Sequence, residues 1–287
     1  MTYLYVGRHD PEGGVANAPR PQTTVVSPRP LTGAEIVAEV VKVRALPALR
    51  AATSFRLTYP PTPSDPRVAL DMLQATYSAC GRCHLSERRA RVCFLKGNPY
   101  AAVLALGEGP GRTENDQGVP FVGKSGCLQD ALFRDAGIDP QRDVAWTNLV
   151  GCRPCDNPFA EDRKPNRVEA VACSERLMHT FHAIRPRVVL CLGAVALTAF
   201  FRPGEEPPLN TFVSLPTGVT GESVLVGHLR HPSYLLRIGQ QPNMYAEWAG
   251  ARLALRQLRA WLPVQKVAAW PFGLRYVADL TAPEAAT

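Results

Sequence analysis

Four short apolar runs, each containing or closing on glycine or asparagine, constrain this chain more than any other feature. They are Val103-Leu-Ala-Leu-Gly107, Val144-Ala-Trp-Thr-Asn148, Arg187-Val-Val-Leu-Cys-Leu-Gly193 and Ser223-Val-Leu-Val-Gly227. Runs of this length without polar alternation read as strands buried on both faces. Helical stretches lie around them, at about 67–79, 124–136, 166–184, 194–201 and 243–262. Strand and helix in alternation argue for an α/β fold, a parallel sheet with helices on both faces. Such sheets bind ligands beyond the carboxyl ends of their strands. That rule directs attention to the residues following Gly107, Asn148 and Gly227.

The flanks read differently. Residues 1–66 carry Pro19, Pro21, Pro28, Pro30, Pro60, Pro61, Pro63 and Pro66. Proline at this density prevents regular pairing, so an extension with little core of its own is expected. One helix is expected within it, over Thr32 to Val43, with Thr32 as cap and Ile36, Val40 and Val41 on one face. The main domain is placed at 67–264 and a tail at 265–287. No apolar run approaches membrane-spanning length, and the first residues lack the basic-then-apolar pattern of a secretory signal. A cytoplasmic, nucleoid-associated monomer without membrane contact is the expectation.

Thirty-two Lys and Arg against 25 Asp and Glu give a net charge of +7. That balance suits a polyanionic partner but is shared by basic proteins with no nucleic-acid role. Eight cysteines stand at 80, 83, 93, 127, 152, 155, 173 and 191. With no sign of export, the close pairs Cys80/Cys83 and Cys152/Cys155 ask for a metal rather than a disulfide.

After the first strand comes Gly107-Glu-Gly-Pro-Gly-Arg-Thr-Glu114, and then Gly118-Val-Pro-Phe-Val-Gly-Lys-Ser-Gly126. The second segment satisfies the spacing of a phosphate-binding loop, but it does not directly follow a strand, as that loop must. Taken together, Gly107-Glu-Gly-Pro-Gly111 with Glu114 and Pro120-Phe-Val-Gly-Lys-Ser-Gly126 resemble the first motif of the family-four uracil-DNA glycosylases. Thr147-Asn148, Cys152-Arg-Pro154 with Asn157, and His231-Pro-Ser233 are similar to its later motifs, in the same order. The resemblance covers about Ala79 to Arg237. It implies a three-layer α/β/α fold around a four-stranded parallel sheet. The implied activity is hydrolysis of the uracil N-glycosidic bond, which leaves an abasic site and starts base excision repair.

The residue types suit that task. A glycosylase draws its nucleotide out of the stack into a pocket, which Gly107 and Gly109 would let the ligand approach closely. Phe121 offers a face on which a pyrimidine can stack. The Asn148 amide can donate and accept, pairing with the uracil edge and rejecting cytosine. The resemblance assigns His231 to the negative charge that develops on the leaving ring; His228 is the structural comparator. Asn157 is carried over as a substrate-binding residue, and Ser233 could hold a phosphate. Tyr234, Leu235 and Leu236 either fill the gap left by the flipped base or begin a packed helix. The water-activating aspartate of the wider superfamily is replaced by Gly109, so Glu114 and Glu108 both stand as candidates.

By the same resemblance Cys80, Cys83, Cys152 and Cys173 hold a [4Fe–4S] cluster, with Cys155 an alternative to Cys152. The loop from Cys152 to Cys173 is longer than that family's usual spacing. Cys93, Cys127 and Cys191 are expected to pack as small apolar residues. Two rivals are set against excision of uracil from DNA. A superfamily member that bonds covalently to DNA needs a histidine in an Arg/Lys-rich loop, and 153–167 has Arg153, Arg163, Lys164 and Arg167 but no histidine. A relative that binds uracil-DNA or a partner without turnover is disfavoured by Asn148, His231 and Phe121.

Overall fold

The computed structural model describes residues 63–262 apart from Pro203, 217–222 and 240–243. The expected helix at 32–43, nearly all of the 1–66 extension, and the 265–287 tail lie outside the described residues.

All four expected strands form, as β2 (Val103–Gly107), β3 (Val144–Asn148), β4 (Val188–Leu192) and β6 (Ser223–Leu229), and they run parallel in the order β3-β2-β4-β6. The sheet is nevertheless not the four-stranded parallel one expected. It has six strands and is mixed: β1 (Lys96–Gly97) pairs antiparallel with β3 at one edge, and β5 (Thr211–Pro216) pairs antiparallel with β6 at the other. These strands escape a sequence reading for a physical reason. An edge strand needs only one ladder and one covered face, so it carries no continuous apolar run.

The helices are α1 (Pro66–Ser78), α2 (Arg112–Gln117), α3 (Lys124–Asp135), α4 (Arg167–Ile184), the short α5 (Ala194–Leu197), α6 (Pro232–Ile238) and α7 (Met244–Trp261). Their starts are written locally. Asp65 caps α1 through the Arg67 amide at 2.8 Å, with Pro66 behind it. Asn166 and Glu169 form a reciprocal capping box on α4.

Side chains that alternate along the strands divide the interior into two cores. Leu104, Leu106 and Val189 face α1 and α4 (Ala69, Leu70, Leu177, Phe181). Val103, Ala105, Val144, Trp146 and Leu190 face α3, α6 and α7 (Leu132, Phe133, Leu235, Leu255, Leu258). Every residue of β2, β3 and β4 is buried, as strands covered on both faces must be.

Candidate active site and cysteine cavity

The carboxyl ends of the four parallel strands deliver the polar residues to one edge of the sheet. Asn148 ends β3, Gly107 ends β2, Gly193 follows β4 and His231 follows β6. Three inter-strand steps of about 4.8 Å separate the first from the last, roughly the span of one nucleotide with a side chain reaching in from each side.

Glycine makes the floor of this edge. A Cβ on Gly107 would run into both the Asn148 Oδ1 and the Phe121 ring, so these two side chains close over it. A Cβ on Gly109 would press on Val150 and Pro154 at 3.0 Å. Asn148 is only 2% exposed, and pairing continues past the strand ends, with the Leu149 amide donating to the Gly107 carbonyl at 2.8 Å. Phe121 takes a left-handed φ of 55°, rare for a bulky residue. It is held there from several sides: its ring lies 5.1 Å from Trp146, Lys96 Nζ donates to its carbonyl at 3.0 Å, and Gly126 leaves that carbonyl room. Lys96 was not visible as a site residue in the sequence; it also pairs with Asp130 at 2.9 Å and sits 4.7 Å over Trp146.

Glu114 closes the same loop. Its Oε1 accepts from the amides of Val122 (3.0 Å) and Gly123 (2.6 Å). Gly123 caps α3, so the helix start that imitates a phosphate-binding loop already holds an anion, the protein's own carboxylate. Glu108 is placed otherwise. No hydrogen bond to its side chain occurs among the described residues. Burial pushes its pKa above the usual carboxylate value, against the pull of Lys164 and Arg237.

His231 caps α6. The Ser233 amide donates to its Nδ1 at 3.2 Å, and the Ser233 hydroxyl lies 2.7 Å from the same nitrogen. An amide can only donate, so Nδ1 accepts and the proton of the neutral ring sits on Nε2. Arg237 Nη1 donates to the Ser233 hydroxyl at 3.2 Å, which orients that hydroxyl toward the ring. Burial, assisted by Arg237, lowers the His231 pKa from 6.5 to about 4. Ser233 therefore buttresses His231 within the described residues. Residues 232–238 are helical: Leu235 is buried, Tyr234 lies under the Arg230 guanidinium at 4.8 Å, and Leu236 alone of the three apolar candidates is exposed. His228 is turned away, its Nδ1 2.8 Å from the Pro207 carbonyl.

Asn157 is placed outside this cluster. It is exposed, and its Oδ1 accepts from the Phe159 and Ala160 amides at 3.0 and 2.9 Å, which makes it the turn residue of the 153–166 loop.

The cysteines form a second centre. Cys80, Cys83, Cys152 and Cys173 line one small cavity of about 20 Å³ with Arg82, Arg89 and Glu169. Cys155 is fully buried and does not line it. All eight cysteines are free, and among the described residues no three His, Cys, Asp or Glu side chains are arranged to hold a single metal ion. Two cavity sulfurs receive N–H groups: Cys173 from Gly151 (3.3 Å) and Arg176 Nε (3.2 Å), Cys152 from Arg89 (3.7 Å). Cys93 and Cys191 are buried as expected, whereas Cys127 is exposed on α3.

Arg176 is the second residue the sequence did not reveal. It is 2% exposed and pairs with no carboxylate among the described residues. Its guanidinium donates instead to the Cys173 sulfur, the Thr147 hydroxyl (3.2 Å) and the Asn148 and Leu149 carbonyls. It thus ties the cysteine cavity to the backbone of Asn148. One arginine three residues after a cysteine on a helix carries no signal of this in sequence.

Residues 94–251, more than half of the chain, match the family model of the uracil DNA glycosylase superfamily. The chain is similar to the type-4 uracil-DNA glycosylase of Thermotoga maritima, 34% identical over 168 residues that make up 58% of this chain and 83% of the relative. It is also 34% identical over 133 residues to those of Archaeoglobus fulgidus and Saccharolobus solfataricus, covering 46% of this chain and 64% and 59% of those relatives. The glycine-floored edge of the sheet, with Asn148 and His231 at its two sides, lies within the matched span, and the chain belongs to the type-4 family of uracil-DNA glycosylases.

Proposed function

We propose that the protein hydrolyses the N-glycosidic bond of uracil in DNA. The observation that carries this reading is the convergence of Asn148 and Phe121 on a side-chain-free Gly107, with His231 presented from the far strand. An extracted uracil would stack on Phe121 and pair its edge with the Asn148 amide. As the N1–C1′ bond lengthens, negative charge gathers on the ring. His231 is neutral with its proton on Nε2, so it stabilises that charge by donating a hydrogen bond and needs no prior protonation.

Water completes the reaction at C1′, and its proton needs an acceptor. Glu108 is the better placed carboxylate, because Glu114 spends one oxygen on two amides. The raised pKa of Glu108 brings it nearer the working pH of a general base. Glu114 then fixes the Phe121 loop and limits what fits beside the uracil ring. Leu236 is the apolar side chain free to enter the vacated stack, and Arg237 stands beside it for phosphate.

Cys80, Cys83, Cys152 and Cys173 would hold a [4Fe–4S] cluster. A cubane takes one thiolate on each of four iron atoms, so its ligands stand further apart than those of one zinc ion. Four thiols around one cavity would supply one thiolate for each iron of such a cluster. Its contribution would be structural, tying the 80s segment to the Cys152 loop through the cysteines that line the cavity.

Incubation with uracil- and thymine-containing oligonucleotides followed by alkali tests the activity. Strand scission with uracil alone is expected, and none with uracil would overturn it. Asn148→Ala and His231→Ala should each slow excision by about 10²–10³-fold with the fold intact. A preparation made without oxygen that contains no iron would remove the cluster.

A further inference from the structure

The loop between β3 and α4 presents Phe159 to solvent, 89% exposed and the most exposed large apolar side chain among the described residues. An isolated surface phenylalanine is unremarkable by itself. The frame beneath this one is not. Arg153, itself 2% exposed, donates to the Pro158 carbonyl (2.8 Å) and to that of Ala160. Arg112 donates to the Phe159 and Ala160 carbonyls at 3.1 and 3.3 Å. Asn157 accepts from the two amides, and Arg163 ties the returning limb to Asp156 (2.7 Å) and Glu169 (2.6 Å). Three consecutive carbonyls are thus each held by an arginine under a side chain that touches little of the protein. Ordering a surface loop costs about 1–2 kcal/mol per residue, and nothing inside the fold is gained by displaying an apolar tip.

The loop also stands at the rim of the uracil pocket. A Cβ on Gly111 would meet the Glu114 carboxylate at 2.9 Å and that of Asp162 at 3.1 Å, so loop and pocket share this glycine. Lys164 of the loop and Arg237 of α6 are the two cations whose fields reach Glu108.

We propose that Phe159 is a preformed stacking platform for an unpaired base of the DNA strand, next to the extracted uridine. Arg112, Lys164 and Arg237 are the cations that take the adjoining phosphates. A rigid aromatic within a cationic rim is the chemistry by which proteins hold single strands, since every base has a face to stack. The inference rests on the uracil-excision reading, and a binding measurement separates the two.

Full-length protein would be titrated with a single-stranded oligonucleotide carrying a tetrahydrofuran abasic site, followed by anisotropy. Phe159→Ala should bind about 10-fold more weakly and raise KM for uracil-DNA with kcat little changed and the unfolding midpoint unmoved. Phe159→Trp should restore affinity, and its added emission over wild type should be quenched by DNA. Wild-type affinity in Phe159→Ala would overturn the proposal, as would unquenched emission from Phe159→Trp at saturating DNA. Loss of self-association in Phe159→Ala with DNA affinity intact would assign the tip to a second copy and overturn it too. Quenching and weakened binding in a protein that releases no uracil would sink the excision reading and leave the contact standing.

Discussion

Two loops build the rim of the candidate site, and they are shaped by opposite means. The 107–126 loop is made by leaving atoms out. Gly107, Gly109 and Gly126 each stand where a Cβ would strike Asn148, Phe121, Pro154 or the Phe121 backbone. The 150–166 loop is made by adding charge, with Arg153, Arg163, Arg112 and Arg176 donating to its carbonyls and those of the strand end before it. The difference follows from what each must do. A pocket floor has to let a flat base close on backbone, which only glycine permits. A loop with no ladder has to satisfy its carbonyls some other way, and arginine supplies several donors from one side chain.

The largest test of that contrast is Gly126→Ala. Its methyl would enter the Phe121 carbonyl that Lys96 also holds, and displacing the ring by about an ångström should slow excision on the order of 10²-fold. Single-turnover kinetics would show it; a wild-type rate would mean that glycine does not shape the floor.

Arg176→Met comes next. It leaves the Asn148 and Leu149 carbonyls without their arginine donor and the Cys173 sulfur with the Gly151 amide alone, and should lower unfolding free energy by about 2–4 kcal/mol. Urea titration measures the loss. Bound iron per chain should fall with it, and Arg176→Lys should recover part of both.

Arg153→Gln should cost less, about 1–2 kcal/mol, because only the loop slackens. Limited proteolysis should then cut at residues 156–162, while bound uracil is still excised. An uncut loop would show that Asn157 and Arg112 suffice.

The smallest effect is in pH. The folded chain keeps His231 neutral down to about 4, while the unfolded chain protonates it near 6.5. Stability from this group is full above 6.5 and is lost as pH falls toward 4, by about 1 kcal/mol over the first unit or so below 6.5. Burial shifts His179, His182 and His228 the same way. Urea midpoints at pH 7, 6 and 5 should decline, less steeply in His231→Gln. Excision should not show a histidine titration between pH 7 and 5.

Much of the fold was legible because buried strands must be apolar on both faces. β2, β3 and β4 were placed to within a residue, and β6 ran two residues past its expected end. The edge strands β1 and β5 and the short helix α2 were not, since a half-covered element leaves a weaker pattern. The site residues that stand in sequence motifs were legible as chemistry, but their arrangement was not. The sequence offered Ser233 to a phosphate and Asn157 to substrate, while the fold sets Ser233 against His231 and Asn157 under its own loop.

The order of strand and helix, the glycines that no side chain could replace, and the residue types at the strand ends were determined by sequence alone, because each is a local requirement of backbone and burial. Only tertiary structure decided that Cys152 rather than Cys155 lines the cavity, which nitrogen of His231 bears the proton, and that Lys96 and Arg176 support the pocket. Those outcomes depend on atoms far apart in the chain. No periodicity records which distant carbonyl or sulfur a buried cation will meet.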